Sequence, residues 1–446
     1  MMSVLESGLP KLSRDRSFLG MVATQFLGAF NDNIFKQMVV LVLTDYAMRS
    51  GTESETYQPY AHAAFALPFV LFSGMAGWLS DRVSKRGVVV VAKLAEIVVM
   101  LAGMLVLFLC DLGSKELFVG LLAVLTLMSL QSAFFGPAKY GILPEMLREE
   151  DLPPANGVIQ LTTFVAIILG VAVCGALKGG LEARWGLWPV SGVCVGLAVV
   201  GTLTSLLLRP TPPAHPGLKL KASNLLLDRE TWRLLRSDRT LARVLLAVIL
   251  FWFLGGVSLQ IVTEFGKQQL QVGDWKTSIL NAALSLGIGV GCVISGALSK
   301  HTIRFGLVRC GAWGMVVTFS VLASLALWQM STDGLFYVSA ILFVLMGGAA
   351  GLYAVPLQVF LQARPSADQK GRMIGTMNLT TWIGVLASAG FYNFCASIIG
   401  TKSISLTFLP LALLILPVAI FYRPKDEFLR PTLSVESSGG KTAVDS

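Results

Sequence analysis

Charge is the first thing this sequence lacks. Asp, Glu, Lys and Arg together make up only 14% of its 446 residues, against roughly 25% in an average soluble domain. A water-exposed globule is excluded by that shortage, and so is a disordered chain, which needs the opposite bias. Histidine is nearly missing. His62, His215 and His301 stand far apart, so a zinc site of the HExxH kind is excluded, as is the HxxxxD pattern of an acyltransferase. The cysteines Cys110, Cys174, Cys194, Cys292, Cys310 and Cys395 form no CxxC pair and lie in or at the ends of apolar runs. They read as small packing residues rather than disulfides or metal ligands. With no nucleophile, base and metal set, an enzyme of the membrane interior is disfavoured, and no cofactor is expected.

What is present is apolar. Hydrophobic residues make up 54% of the chain and the mean hydropathy is +0.70. At about 20 apolar residues per crossing, the sequence resolves into twelve spans, at 17–47, 59–80, 88–110, 116–139, 157–178, 187–208, 241–268, 277–299, 306–329, 334–362, 371–397 and 403–422. The first run follows basic residues but is too long for a signal-peptide core, and is read as a retained helix. The fold class is therefore an all-α membrane protein of twelve transmembrane helices.

The net charge of +9 is distributed by side. Loops and tails on one side hold 25 Lys and Arg, and those on the other hold 7. That asymmetry marks the richer side as cytoplasmic, with both termini on it. It also favours a membrane surface over nucleic acid as the basic chain's partner. The longest interruption, 209–240, opens with the Pro-rich RPTPPAHPG and ends DRETWRLLRSDR. Its Leu225, Leu226, Trp232 and Leu235 against Arg229, Arg233 and Arg236 suit an amphipathic helix on an anionic leaflet; a solvated basic linker fits as well. The chain divides there into a first half 1–208, the linker 209–240, a second half 241–422 and a tail 423–446 expected to be disordered.

The halves repeat. Gly77-Trp78-Leu79-Ser80-Asp81 is echoed by Gly296-Ala297-Leu298-Ser299-Lys300, Gly87 by Gly306 and Pro137 by Pro356, all at an offset of 219. Leu161-Thr162-Thr163-Phe164 is echoed by Leu379-Thr380-Thr381-Trp382 at 218. A duplicated six-helix unit is a transporter architecture, with its site between the halves near the midplane.

The loop after the second span reads Gly77 to Arg86, GWLSDRVSKR. It resembles the signature of the major facilitator superfamily, G-x-L-[AS]-D-R-x-[GS]-[RK]-[RK]. Physically it reads as a latch. Gly77 lets two helices approach closely, and Asp81 can face a helix N-terminus. The resemblance implies that this is the start of the eleventh span, near Gly371 and Arg372. Arg82, with Lys85 or Arg86, is expected to pair with Glu145 below the fourth span. Such contacts exist in one access state and break in the other. In the second half Lys300 replaces the acid, so the second latch is degenerate.

The first span carries QFLGAFNDN, Gln25 to Asn33, with Asp32 near its centre. A central charge costs roughly 2.5–3.5 kcal/mol on insertion scales and should face protein or a cavity. Asp32 and Lys36 are four apart, so they can pair along one face; alternatively Asp32 meets a cationic cargo group or takes part in proton or gating chemistry. Asn31 and Asn33 point elsewhere on the helix. The fourth span ends with PAKYGILPE, Pro137 to Glu145, including Lys139; the fifth opens with Asn156-Gly157 and the polar stripe Gln160, Thr162 and Thr163.

These runs, with Ala155-Asn156-Gly157 and Val355-Pro356-Leu357 before Leu361-Gln362, resemble the bacterial lysophospholipid transporters over about residues 17–420. The resemblance implies inward movement of lysophospholipids, such as lysophosphatidylethanolamine, across the inner membrane for re-acylation by a separate acyltransferase or acyl-carrier-protein synthetase. It marks Asp32 and Lys139 as functional. A lysolipid needs a cation near its phosphate, from Lys139, Lys36 or Lys93, and for ethanolamine an acceptor near its amine, from Asp32 or Glu96. Lys93 and Glu96 equally suit a self-paired couple. Phe26, Phe30, Phe134 and Phe135 offer apolar surface for the acyl tail. With Asn31, Gln160 and Gln260 these complete the candidate binding set. One departure stands out: the enterobacterial relatives carry an Arg in the seventh span where this chain has Gln260. The runner-up function is a proton-coupled exporter of drugs or small metabolites.

Overall fold

The computed structural model describes residues 10–49, 58–111, 114–219, 229–300, 302–399 and 401–429. Apolar segments form helices here because no water is present in a bilayer to satisfy a stray N–H or C=O. The first six are α1 (Arg16–Arg49), α2 (Gln58–Arg82), α3 (Lys85–Leu109), α4 (Lys115–Met146), α5 (Leu152–Trp185) and α6 (Trp188–Ser205). A short helix α7 (Arg229–Ser237) precedes α8 (Arg239–Glu264), α9 (Asp274–Leu298), α10 (Phe305–Ser324), α11 (Thr332–Ala363), α12 (Lys370–Ile399) and α13 (Phe408–Phe421). Among the described residues twelve helices are long and apolar enough to cross a membrane, α7 being too short.

Several helix ends differ from the expected ones for local reasons. The fourth helix runs on to Met146 through Pro137 and Pro144 instead of stopping at 139. Prolines are tolerated there because neighbouring helices re-satisfy the freed backbone groups. The sixth stops at Ser205, and the seventh is extended by a π turn at Phe265–Gln269. Polar caps set three starts: Ser114 accepts from Leu117 N–H, Asp238 from Thr240 and Leu241 N–H, and Ser331 from Gly334 N–H, each satisfying donors a helix leaves open.

The packing shows the duplication. In the first half α2 packs on α4, α1 on α5, α3 on α4 and α3 on α6; in the second, α9 packs on α11, α8 on α12, α10 on α11 and α10 on α13. Each pair in one list has its counterpart in the other. The halves meet along α2–α12 and α5–α9, again an equivalent pair. The outer surface is apolar: on α3, Val91, Val98 and Leu105 are 64%, 66% and 55% exposed and recur every seventh residue, the spacing of one helix face.

The connection between α6 and α8 is moored to the bundle, and the end it crosses is termed the linker face. Arg209 forms a two-pronged ion pair with Asp15 at 2.7 and 2.8 Å and donates to the Met146 carbonyl. His215 N–H donates to the Asp81 carbonyl at 2.8 Å. The expected amphipathic helix exists only in part. Leu225 and Leu226 lie outside the described residues. In α7, Thr231 and Leu235 are buried against the bundle, so that stripe is covered by protein, while Trp232 remains 45% exposed beneath the Arg236 guanidinium. The described part of the tail, residues 423–429, is tied to the bundle. Strand β1 (Thr302–Ile303) pairs antiparallel with β2 (Glu427–Phe428), Asp426 accepts from Phe305 N–H at the start of α10, and Glu427 pairs with Arg364. Residues 430–446 lie outside the described set.

Candidate substrate path and gate

At the linker face, helix α2 reaches the first turn of α12, and glycines make that approach possible. A Cβ on Gly77 would stand 2.7 Å from the Gly371 carbonyl oxygen and 3.1 Å from the Cα atoms of Arg372 and Gly375. The Asp81 carboxylate then accepts from Gly371 N–H at 2.6 Å, from Arg372 N–H at 3.0 Å and from Arg372 Nε at 3.2 Å. Two of these donors are the open N–H groups of a helix start, where an anion is favoured. The pair is fully enclosed, with 4% of the Arg372 side chain and none of Asp81 exposed. Arg372 also reaches Glu230 of α7 at 2.6 Å.

The charges around Asp81 divide the work differently from the expectation. Lys85 alone takes Glu145. Arg82 lies over the Trp78 ring at 5.1 Å, and Arg86 donates to the Leu206 carbonyl at 3.2 Å. The buried Lys85 enters from the start of α3 and so reaches α4 directly, whereas Arg82 and Arg86 leave toward the surface. The halves are also joined by reciprocal amide bonds between Asn156 and Gln362 at 2.8 and 2.9 Å, and by Asn378 donating to Ser73 at 2.9 Å. Deeper still, Trp382 of α12 stacks on Phe69 of α2 at 4.4 Å.

Inside the first half a file of ionisable groups runs along α1. The expected Asp32–Lys36 pair is not formed. Asp32 Oδ2 accepts instead from the Ser132 hydroxyl of α4 at 2.7 Å, and Lys36 Nζ lies 4.7 Å from the centre of the Phe65 ring. Residues four apart can meet on a helix, but here neighbouring helices offer each a better-placed partner. Asn31 donates to Glu96 at 2.6 Å, joining α1 to α3, and Glu96 holds Lys93 as a buried couple with Lys93 over Phe135. Lys139, 8% exposed, donates to Gln25 Oε1 at 3.1 Å; Gln25 is held by Thr162 and Thr163. Gln160 accepts from the Tyr140 hydroxyl at 3.3 Å. Phe26 and Phe30 stack on one another at 5.9 Å, and Phe134 faces Phe72 at 6.5 Å.

Asn31, Asp32, Lys36 and Lys139 are thus gathered on α1 and the facing side of α4. Gln260 is not among them: it bonds the Gly256 carbonyl of its own helix at 3.2 Å, and Glu264 takes Gln268 one turn on. Sequence reading overlooked Gln131 and Ser132. Gln131 Nε2 donates to Ser132 Oγ at 2.8 Å, extending the chain that ends on Asp32. Among the described residues Asp32 Oδ1 and Gln131 Oε1 are buried without a donor, and an unsatisfied buried polar group costs about 1–3 kcal/mol. The pairing of the Arg372 side chain with Asp81 and Glu230 and the Asn156–Gln362 bond were overlooked too; for the amide bond the available signal was the polar character of Asn156 and Gln362 inside apolar runs. No cluster of His, Cys, Asp and Glu suited to a metal ion occurs among the described residues.

Two pseudo-equivalent six-helix halves, a carboxylate latch between α2 and α12, and ionisable groups gathered inside the first half together describe a transporter. A profile of the Major Facilitator Superfamily matches residues 21–389, and the chain belongs to that superfamily. Among curated proteins it is similar to the lysophospholipid transporter LplT of Serratia proteamaculans, 27% identical over 398 residues covering 88% of this chain and 92% of the relative. The lysophospholipid transporter LplT of Pectobacterium carotovorum is 28% identical over 397 residues, 87% of this chain and 88% of the relative. Among solved structures the human organic anion transporter MFSD10 superposes with a TM-score of 0.70 at 16% identity, covering 90% of this chain and 98% of the other. The proton:xylose symporter XylE gives 0.67 at 12% identity, covering 91% and 96%. At such identities the likeness extends to the fold alone.

Proposed function

We propose that this protein moves lysophospholipids across the cytoplasmic membrane by alternating access, presenting them on the inner side for re-acylation by a separate acyltransferase or acyl-carrier-protein synthetase. The observation that carries this reading is a pair of lysines inside the bundle, Lys36 and Lys139, with no carboxylate in ion-pair contact among the described residues: one rests on a phenylalanine ring and the other on an amide oxygen. An uncompensated cation away from bulk water favours an anionic guest. A head-group phosphate supplies that charge, and the adjacent Phe26, Phe30, Phe134 and Phe135 suit a single acyl tail. The similarity to lysophospholipid transporters, over 88% and 87% of this chain, supports the same cargo.

The basic linker face is assigned to the cytoplasm by its excess of Lys and Arg. The Asp81 contacts then hold the inner gate shut in this conformation, and transport requires them to break. The test is a vesicle assay with the purified full chain and fluorescent lysophosphatidylethanolamine. The expected result is faster inward movement with protein than without, and no acceleration of a diacyl lipid. Equal rates with and without protein overturn the cargo assignment; proton flux driven by small organic substrates would favour the exporter reading instead.

A further inference from the structure

We infer that Asp32 Oδ1 and Gln131 Oε1 form the docking point for a primary ammonium group on the lipid head, and that Gln131 is a specificity-determining residue. The inference rests on the lysophospholipid reading and deepens it. Asp32 Oδ1 on α1 and Gln131 Oε1 on α4 are, with Asn31 Oδ1, buried acceptors without donors among the described residues. Asp32 and Gln131 belong to one connected unit, since Gln131 donates to Ser132 at 2.8 Å and Ser132 donates to Asp32 Oδ2 at 2.7 Å. Those bonds orient both side chains, and the remaining oxygens accept no hydrogen bond among the described residues. Gln131 itself is 8% exposed, and a buried unpaired acceptor in a native fold calls for a ligand or another stated cause.

The lysines nearby do not fill the gap. Lys36 rests on Phe65, Lys93 is held by Glu96, and Lys139 is held by Gln25. Asp32 therefore makes no ion pair, and neither does Lys36 or Lys139, among the described residues. A zwitterionic head group supplies both a cation and an anion. Lys36 lies four residues beyond Asp32, about 6 Å along the axis, a reach comparable with the two-carbon bridge between phosphate and amine in ethanolamine. A primary ammonium has three N–H donors for the orphaned oxygens; a quaternary ammonium has none.

Head-group selectivity in vesicles holding the full chain tests this. Fluorescent lysophosphatidylethanolamine, lysophosphatidylcholine and lysophosphatidylglycerol present a primary ammonium, a quaternary ammonium and no nitrogen. The wild type is expected to move the ethanolamine lipid roughly tenfold faster than the choline lipid, as expected of a site built to hydrogen-bond one of them. Gln131→Leu removes the acceptor and is expected to bring that ratio near one, and Gln131→Glu, which keeps acceptor oxygens, to restore it. An unchanged ratio in Gln131→Leu overturns the inference. So does an equal slowing of all three lipids, the mark of a packing role, or a sodium dependence common to all three that Gln131→Leu abolishes, which would give the oxygens to a metal cation. Failure of the wild type to move any of the three lipids removes the cargo assignment itself, a result distinct from loss of the ratio alone.

Discussion

Asp32 and Lys139 are ionisable side chains enclosed in a membrane helix bundle, and each is held by neutral partners, Ser132 and Gln25. Groups kept at that cost are expected to serve the cargo. Asp32→Asn and Lys139→Ala should each lower lysolipid transport by at least about tenfold, equivalent to about 1.4 kcal/mol, while membrane insertion and purification yield stay at wild-type level. Normal transport by both variants would return them to a purely structural role. An ion inside an apolar run stands out in a sequence, which is why these positions could be read there. Their partners could not. Ser132 and Gln25 are ordinary small polar residues, and whether Asp32 turns to Lys36 on its own helix or to Ser132 a hundred residues away depends on how α4 is rotated. Gln131 was illegible for the same reason: the role inferred for it lies in an oxygen that accepts no hydrogen bond among the described residues.

Among the elements, α2 and α12 carry the contact between the halves that closes the linker face. Asp81 makes charge-assisted bonds to a helix start and to a buried guanidinium, and bonds of this class contribute about 1.5–3 kcal/mol each. Asp81→Asn should therefore shift the population toward the linker-face-open state by roughly tenfold or more, read as faster labelling of a cysteine introduced near Gly371 on that face. Unchanged labelling would refute the latch. Gly77→Val should act in the same direction by sterics, because even its Cβ would meet the Gly371 carbonyl. The short helix α7 adds a contact absent from the signature, Glu230 on Arg372. Glu230→Gln is expected to raise the same labelling rate by a smaller factor, since Glu230 is 56% exposed and exposed pairs are weak. The start of the latch was legible because GWLSDR places an acid at a fixed distance from a close-packing glycine. The contribution of the linker was not, since a contact between residues 230 and 372 leaves no spacing to read. The cap at the start of α8 should persist at neutral pH. Burial alone would raise the Asp238 carboxyl, but hydrogen bonds from Leu241 N–H and Arg364 hold it below the usual carboxylate range. Its contribution is present above the unfolded pKa and lost only as pH falls through the lowered one.

For the whole molecule, the proposed topology has twelve crossings with both ends on one side, assigned to the cytoplasm by its excess of Lys and Arg. Reporters fused at the two ends should both be cytoplasmic, and one inserted between α1 and α2 should be external; ends found on opposite sides would dismantle the assignment. The duplication was legible from matched glycines and prolines, and the equivalent helix pairs of the two halves follow from it. The functional asymmetry was only partly so. Along their membrane interior α1 to α4 contain Lys36, Lys93 and Lys139 against Asp32 and Glu96, whereas Gln260 in α8 is neutral and bonded to its own helix. At ordinary ionisation that leaves the membrane interior of α1 to α4 with one surplus positive charge. Under the proposed alternating access, the empty carrier would move this charge through the transmembrane voltage, which acts with about 2.3 kcal/mol per elementary charge per 100 mV. A singly anionic head group cancels it and a zwitterionic one does not, so an imposed potassium diffusion potential should alter the turnover of the two kinds of lipid by different factors.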